Sequence, residues 1–348
     1  MCPISPHGEM SVMGTRLRKS MLDALCGYSR SLSGQGRRET IIFTWIICSR
    51  LGLTIMKIKY NPLILIIALC VYSSPGYTQT TLTWSGDLVS TRAFMRDIAD
   101  IYAAKEHVTI ELTTDQTSNS IRSASEGTVD IAGSGRSALP TVIDEHRVKF
   151  YPVAWDALVV ITHPDNPVKN LSVTQLRDVL NGSINNWSSL GFENAPIHLY
   201  SHENSTDSVS HNIRELLLGS AKAKIKAFKT LPSRHDIENR ISSDIYGMAI
   251  TTYSGARRLK VSILALEGVD PRAGTIVSGD YLLYQPLYVV MKENGKNRRL
   301  VKKFLRFIQS RNGARVMRRN GIAPYTENLT LVSKQLDREQ FLLNALTE

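Results

Sequence analysis

Four short stretches concentrate Ser, Thr, Gly and Asn where the chain leaves a strand-like run: Ser85 to Thr91, Thr117 to Ser120, Gly133 to Ser137, and Ser205 to Ser208. Three of them open a helix-like pattern. The unpaired amides at a helix start carry a partial positive charge and neighbouring hydroxyls add donors, so such stretches can seat an oxoanion without a lysine. A hydrogen bond to a charged group contributes about 1.5 to 3 kcal/mol, and micromolar binding needs about 8 kcal/mol net, so five or six converging donors suffice. Taken singly, each stretch reads as an ordinary cap or turn. Four of them in a repeated layout point to a ligand.

No covalent chemistry stands beside these hydroxyls. The sequence has no Gly-x-Ser-x-Gly elbow, no His-Glu-x-x-His, no Walker glycine loop and no cysteine after residue 80, which removes the common hydrolase, zinc-protease and nucleotide-binding signatures. A secreted hydrolase of phosphate esters would have to use Ser134 or Ser205 as nucleophile. His198 and His202 share a strand-to-loop spacing with no third ligand, so neither metal nor cofactor is expected.

The elements that must position these stretches alternate between strand and helix. Thr81 to Trp84 reads as a strand, Ser85 to Thr91 as a polar loop, and Arg92 to Ala104 as a helix with Phe94, Ile98, Ile101 and Tyr102 at helical spacing. Val108 to Thr113 is a strand, Gln116 to Ser120 a turn, Ile121 to Glu126 a short helix and Val129 to Ala132 a strand. Beyond Tyr151 the layout recurs: strand Ala157 to Thr162, a helix Val173 to Leu180 capped by Ser172, strand Ile197 to Tyr200, loop Ser201 to Ser208, and a helix through Ile213 to Leu218. Such alternation predicts an α/β fold with mostly parallel sheets. Tyr281 to Met291 is β in character, and Arg298 to Ile308 is an amphipathic helix. No flexible linker separates the halves, so short paired strands near Val153 to Asp156 and Asp280 to Pro286 are expected to join them, as in hinge-closing proteins.

With the strand-exit stretches and this layout in view, the sequence resembles the phosphate-binding proteins of phosphate ABC transporters, over roughly Thr81 to Tyr325. The stretches that carry the likeness are Asp130-Ile-Ala-Gly-Ser-Gly-Arg136, Leu171 to Leu180 with Ile184-Asn-Asn-Trp187-Ser-Ser-Leu-Gly191, and Gly279-Asp-Tyr-Leu-Leu-Tyr-Gln-Pro-Leu-Tyr288. The resemblance implies a two-lobed periplasmic binding protein (type II) fold, two α/β domains with a hinge and central cleft. One lobe would comprise 80–154 and 283–348, the other 155–282. It also implies a site built from Asp87, Val89 and Ser90, from Thr117 and Ser118, from Ser134 and Arg136, and from the second-lobe loop Ser205, Thr206, Asp207 and Ser208. The family places an Arg before that loop where this chain has His202, and some members keep an Asp where this chain has Gly135. His202 is therefore expected to touch the anion and to hold it better once protonated near its ordinary pKa of about 6.5. Asp207 doubles as a helix cap. The implied ligand is a small inorganic oxoanion, phosphate first, and the implied partner an ABC permease or a sensor. A protein that keeps the fold as an interaction or surface module without a ligand is the alternative.

The bulk composition fits export. The chain has 348 residues and a formal charge of +11, of which nine Lys/Arg and three Asp/Glu precede residue 80, leaving +5 for the remainder. All four cysteines, Cys2, Cys26, Cys48 and Cys70, also precede residue 80. The remainder can therefore enter an oxidising compartment without mispairing. From Met56, Lys57 and Lys59 lead into an apolar run from Pro62 to Tyr72 that is too short to span a bilayer. Residues 56–79 thus read as a signal peptide to the periplasm or exterior, and 1–55 as an extension from a start assigned too far upstream. The basic residues from Arg298 to Arg319 lie opposite the stripe of Leu300, Phe304 and Ile308 and read as a solvated face, with docking to an acidic partner as the alternative. Nucleic acid is not expected as a partner, and a monomer is.

Overall fold

The structure is a computed structural model that describes residues 80–335 and 337. The extension 1–55, the signal segment 56–79 with its cysteines, and nearly all of the tail beyond 335 lie outside the described residues.

Strand β1 (Thr80–Gly86) sends Leu82 and Trp84 into the core at alternate positions, as the period of two requires. Trp84 meets Phe94 edge to face, with ring centroids 6.2 Å apart. The chain then enters α1 (Leu88–Ser90) and passes through one π-helical stretch, Thr91–Met95, into α2 (Arg96–Glu106). The helix thus begins four residues before the expected Arg92, because Asp87 caps it by accepting the Ser90 amide at 2.8 Å. β2 (Val108–Thr114), α3 (Thr117–Glu126) and β3 (Ile131–Ser134) follow. Here too the expected turn Gln116 to Ser120 is already helix from Thr117.

The long strand β4 (Lys149–Thr162) is buried on both faces from Val153 onward, which explains its continuous apolar run. After it come β5 (Asn170–Leu171), α4 (Val173–Asn181), β6 (His198–His202), α5 (Ser208–Leu218), β7 (Lys229–Leu231), α6 (Arg234–Ile241) and β8 (Gly247–Thr252). Helix α4 opens on a capping box in which Ser172 accepts the Gln175 amide and the Gln175 side chain accepts the Ser172 amide. The chain continues through α7 (Tyr253–Ala256), β9 (Ser262–Ile263), β10 (Ala265–Leu266), α8 (Ala273–Ser278), β11 (Tyr284–Met291), α9 (Arg298–Ile308), α10 (Arg311–Arg319) and β12 (Ala323–Pro324). On α9, Val301, Phe304, Leu305 and Ile308 are buried while Arg298, Arg299, Lys303 and Arg306 face solvent.

The main sheet runs β2-β1-β3-β11-β4-β8-β6-β7. β1 pairs parallel with β2 and β3, and β6 pairs parallel with β7 and β8. Between these two parallel patches stands the antiparallel pair β11 and β4, in which Tyr284 faces Ala157, Gln285 faces Asp156 and Pro286 faces Trp155. In each patch, strands of like direction end on one edge, where connecting loops meet a ligand in open α/β sheets. Packing there is tight. A Cβ at Gly133 would come within 2.2 Å of the Trp84 ring and 2.4 Å of Ser90 Oγ, so only glycine fits where β3 passes under the Trp84 ring.

Candidate functional site

The exits of β1, β2, β6 and β7 border one cavity of about 260 Å³, lined by Asp87, Leu88, Thr114, Asp115, Gln116, Thr117, His202, Asp207, Pro232, Ser233 and Arg234. This is below the ~300–1,000 Å³ of sites for drug-sized ligands, so the cavity suits a small solute. On the first-patch side the organising group is the Asp87 carboxylate, whose residue is 3% exposed. Its Oδ1 accepts the Ser90 amide at 2.8 Å and Ser90 Oγ at 2.6 Å. Its Oδ2 accepts the Gly135 amide at 2.8 Å and Thr117 Oγ1 at 3.2 Å. Four donors from three strand exits thus converge on one carboxylate that has no ion-pair partner among the described residues.

On the opposite side Asp207 caps α5, accepting the Ser210 amide at 3.1 Å, and pairs with Arg234. Burial alone would push its carboxyl up, yet the Arg234 guanidinium and the Ser210 amide hold it below the ordinary carboxylate range. Arg234 also donates from Nη1 to the Ile250 carbonyl at 3.0 Å, while its buried Nε has no partner among the described residues. His202 lines the cavity, but its burial lowers its pKa, so the imidazole is neutral near pH 7. Its Nδ1 accepts the Asn204 amide at 3.0 Å, which leaves the proton on Nε2. The expected gain of charge near pH 6.5 is thereby corrected: desolvation moves that titration to lower pH. Nearby His198 bonds Asp244 at 2.8 Å and stacks on Phe228.

Of the residues singled out in the sequence, Asp87, Thr117, His202 and Asp207 line the cavity, and Ser90 stands behind Asp87. Val89 packs into the core. Ser134 Oγ donates to the Arg136 carbonyl at 2.7 Å and accepts the Arg136 amide at 3.1 Å. Arg136 is fully buried, with its five donors directed to Glu145 (2.7 and 3.0 Å), Thr206 O (3.2 Å), Ser137 O (2.9 Å) and Ser118 Oγ (3.2 Å). It is a strut between the two halves and has no donor left for an anion. Ser118 also donates to Thr206 Oγ1, and Thr206 Oγ1 donates to Asn204 Oδ1 at 2.8 Å. Ser205 is exposed and does not line the cavity. Ser208 Oγ is buried without a partner among the described residues, 2.9 Å from where a Cβ on Gly135 would stand.

The residue missed in the sequence is Arg234. Its signal was the step from Leu231 through Pro232 and Ser233 into α6, a fifth strand exit that follows a strand of only three residues.

The sequence model of the PBP superfamily domain matches residues 74–312. The chain belongs to the PBP superfamily. Two similar curated proteins are named phosphate-binding protein PstS. That of Bacillus subtilis is 27% identical over 189 residues, 53% of this chain and 61% of that protein. That of Borreliella burgdorferi is 27% identical over 192 residues, 51% and 66% respectively. The PBP-superfamily chain thus spans less than two thirds of the length of either. Among solved structures, a putative phosphate ABC transporter substrate-binding protein with bound phosphate from Clostridium perfringens superposes with a TM-score of 0.64 at 24% identity, covering 70% of this chain and 99% of that one. An ABC-type phosphate transport receptor from Vibrio cholerae gives 0.55 at 18%, covering 70% and 100%. At these identities the likeness establishes the fold. This PBP-superfamily chain has the two-lobed architecture, its parallel patches joined by β4 and β11.

Proposed function

We propose that the protein is an exported receptor that closes its two lobes on a small oxoanion, phosphate first, and delivers it to an ABC permease or reports it to a sensor. In this reading 80–154 and 283–348 form one lobe and 155–282 the other, with bending at Trp155 to Asp156 and Gln285 to Pro286. Export rests on the signal-like segment from Met56. The observation that carries the proposal is the convergence of Ser90, Thr117 and Gly135 donors on one anionic group, beside a cavity whose far wall holds Arg234. Arg234 supplies the guanidinium that the family carries elsewhere, and His202 contributes a neutral N–H. Nothing comparable supports hydrolysis, since Ser134 Oγ is bonded to the Arg136 backbone and not to a base.

One observation favours a second reading, a module that keeps the fold and binds no external ligand: the anion position is filled by Asp87 itself. Calorimetric titration with phosphate, sulfate and molybdate separates the two. The receptor reading expects one-to-one binding, weakened ten- to a hundredfold in Arg234→Ala, the cost of about 1.5 to 3 kcal/mol for one charge-assisted donor. Silence with all three anions contradicts it.

A further inference from the structure

We infer that Asp87 is an internal ligand: its side chain occupies the oxoanion seat, so an outside anion binds only by displacing it. The inference rests on the reading above that the strand exits form such a seat. A helix cap needs one carboxylate oxygen, and the bonds of Oδ1 to Ser90 meet that need. Capping does not explain Oδ2, which accepts from Thr117 and Gly135, 30 and 48 residues farther along the chain. Two oxygens with two donors each are what a bound oxoanion would receive from these same groups. A buried charge without a counterion persists only where donors are already in place to solvate it.

The segments that Asp87 gathers are also those that meet the other half. The Gly135 carbonyl accepts Asn212 Nδ2 at 2.8 Å. Gln116 Oε1 accepts Asn204 Nδ2 at 2.8 Å, and Ser118 Oγ donates to Thr206 Oγ1 at 3.2 Å. The halves are therefore in contact with the chain's own carboxylate in the seat. Asp87 also borders the cavity, which gives its side chain a place to go when displaced. A tethered competitor acts at an effective concentration in the millimolar range or above, and it lowers apparent affinity by the fraction of molecules whose seat is filled.

The test uses purified Asp87→Ser, which keeps a capping hydroxyl, and Asp87→Gly, which empties the seat. Phosphate is titrated calorimetrically, and formate, a free carboxylate, is added in thermal melts. The expected results are phosphate binding at least tenfold tighter in Asp87→Ser than in the unsubstituted protein, and a formate-dependent rise in Tm for Asp87→Gly alone. Equal phosphate affinity in both proteins overturns the internal ligand and leaves the receptor reading standing. Formate stabilisation of Asp87→Gly with no response of any variant to phosphate, sulfate or molybdate keeps the internal ligand and removes the receptor reading. No response to any of these anions overturns the inference. Should Asp87→Gly not fold, Asp87→Asn decides: it caps a helix as well as Asp, so a capping role leaves Tm unchanged, whereas loss of the Oδ2 acceptor lowers it.

Discussion

Asp87 and Asp207 stand at matching places in the two halves, each a helix cap after a strand exit, but Asp87 is buried and Asp207 is partly exposed, and the two are compensated by opposite means. Asp207 has a guanidinium against it, whereas Asp87 has only amides and hydroxyls from three segments. At Asp207 the compensation is mostly a single guanidinium beside one capping amide, so removing that cation leaves the carboxylate largely uncompensated. A ring of neutral donors is what the proposed exchange of one anion for another requires, and the guanidinium of the Asp207 pair is what the proposed site adds on the opposite wall.

The sharpest way to break this contrast is to remove the guanidinium. Arg234→Met leaves the partly exposed Asp207 carboxylate without its cation, and urea unfolding is expected to show a loss of about 2–4 kcal/mol, below that of a fully buried pair. Because the folded Asp207 titrates below the ordinary value, its contribution is present above that value and is lost as pH falls through the lowered one. Arg234→Met removes this acid-side slope.

A third buried carboxylate sharpens the comparison. Asp156, fully buried in β4 opposite Gln285, has Ser254 as donor at 2.5 and 3.2 Å and no ion-pair partner among the described residues, and burial pushes its pKa from 3.8 up to about 7. Here the folded state binds the proton more tightly than the unfolded chain does. The contribution of Asp156 to stability is therefore fully present below about pH 4 and is lost as pH rises toward 7, by up to about 4 kcal/mol. Asp156→Asn should flatten the profile and stabilise the protein at pH 8, read by thermal melts across that range. A profile that rises from pH 4 to 7 in both proteins would contradict the assignment.

Smaller effects follow. Thr117→Val deletes one of the four donors on Asp87 at nearly constant volume and is expected to cost about 1.5–3 kcal/mol in denaturant unfolding. His202→Ala removes a neutral group, so ligand affinity should change less than tenfold and should gain no dependence on pH near 6.5. A weakening that grows as pH falls through 6.5 would restore the imidazolium that burial otherwise removes.

The alternating α/β pattern was legible because strands β1 and β2 alternate with a period of two, β11 is a run rich in aromatic and β-branched residues, and helices α4 and α9 place apolar residues at helical spacing. Their starts were less so. α1 and α3 begin on Leu88 and Thr117, inside stretches whose Ser and Thr content reads as loop, and the bonds that tie these two helix starts together, from Thr117 and Gly135 to Asp87, join residues far apart in the chain. The same reason governs the site. Thr117 and Asp87 could be nominated from local composition, but the roles of Arg136 as a strut and Arg234 as a wall depend on Glu145, Thr206 and Asp207, contacts that only the sheet order brings together. Nor does local sequence reveal that Oδ2 of Asp87 is held by Gly135, a residue notable only for the side chain it lacks.

The most direct measurement is a crystal structure of Asp87→Ser grown with phosphate. The account predicts a tetrahedral anion within hydrogen-bonding distance of the Ser90 amide, Thr117 Oγ1 and the Gly135 amide. Phosphate bound elsewhere in the cleft, with those donors turned to other partners, would contradict it.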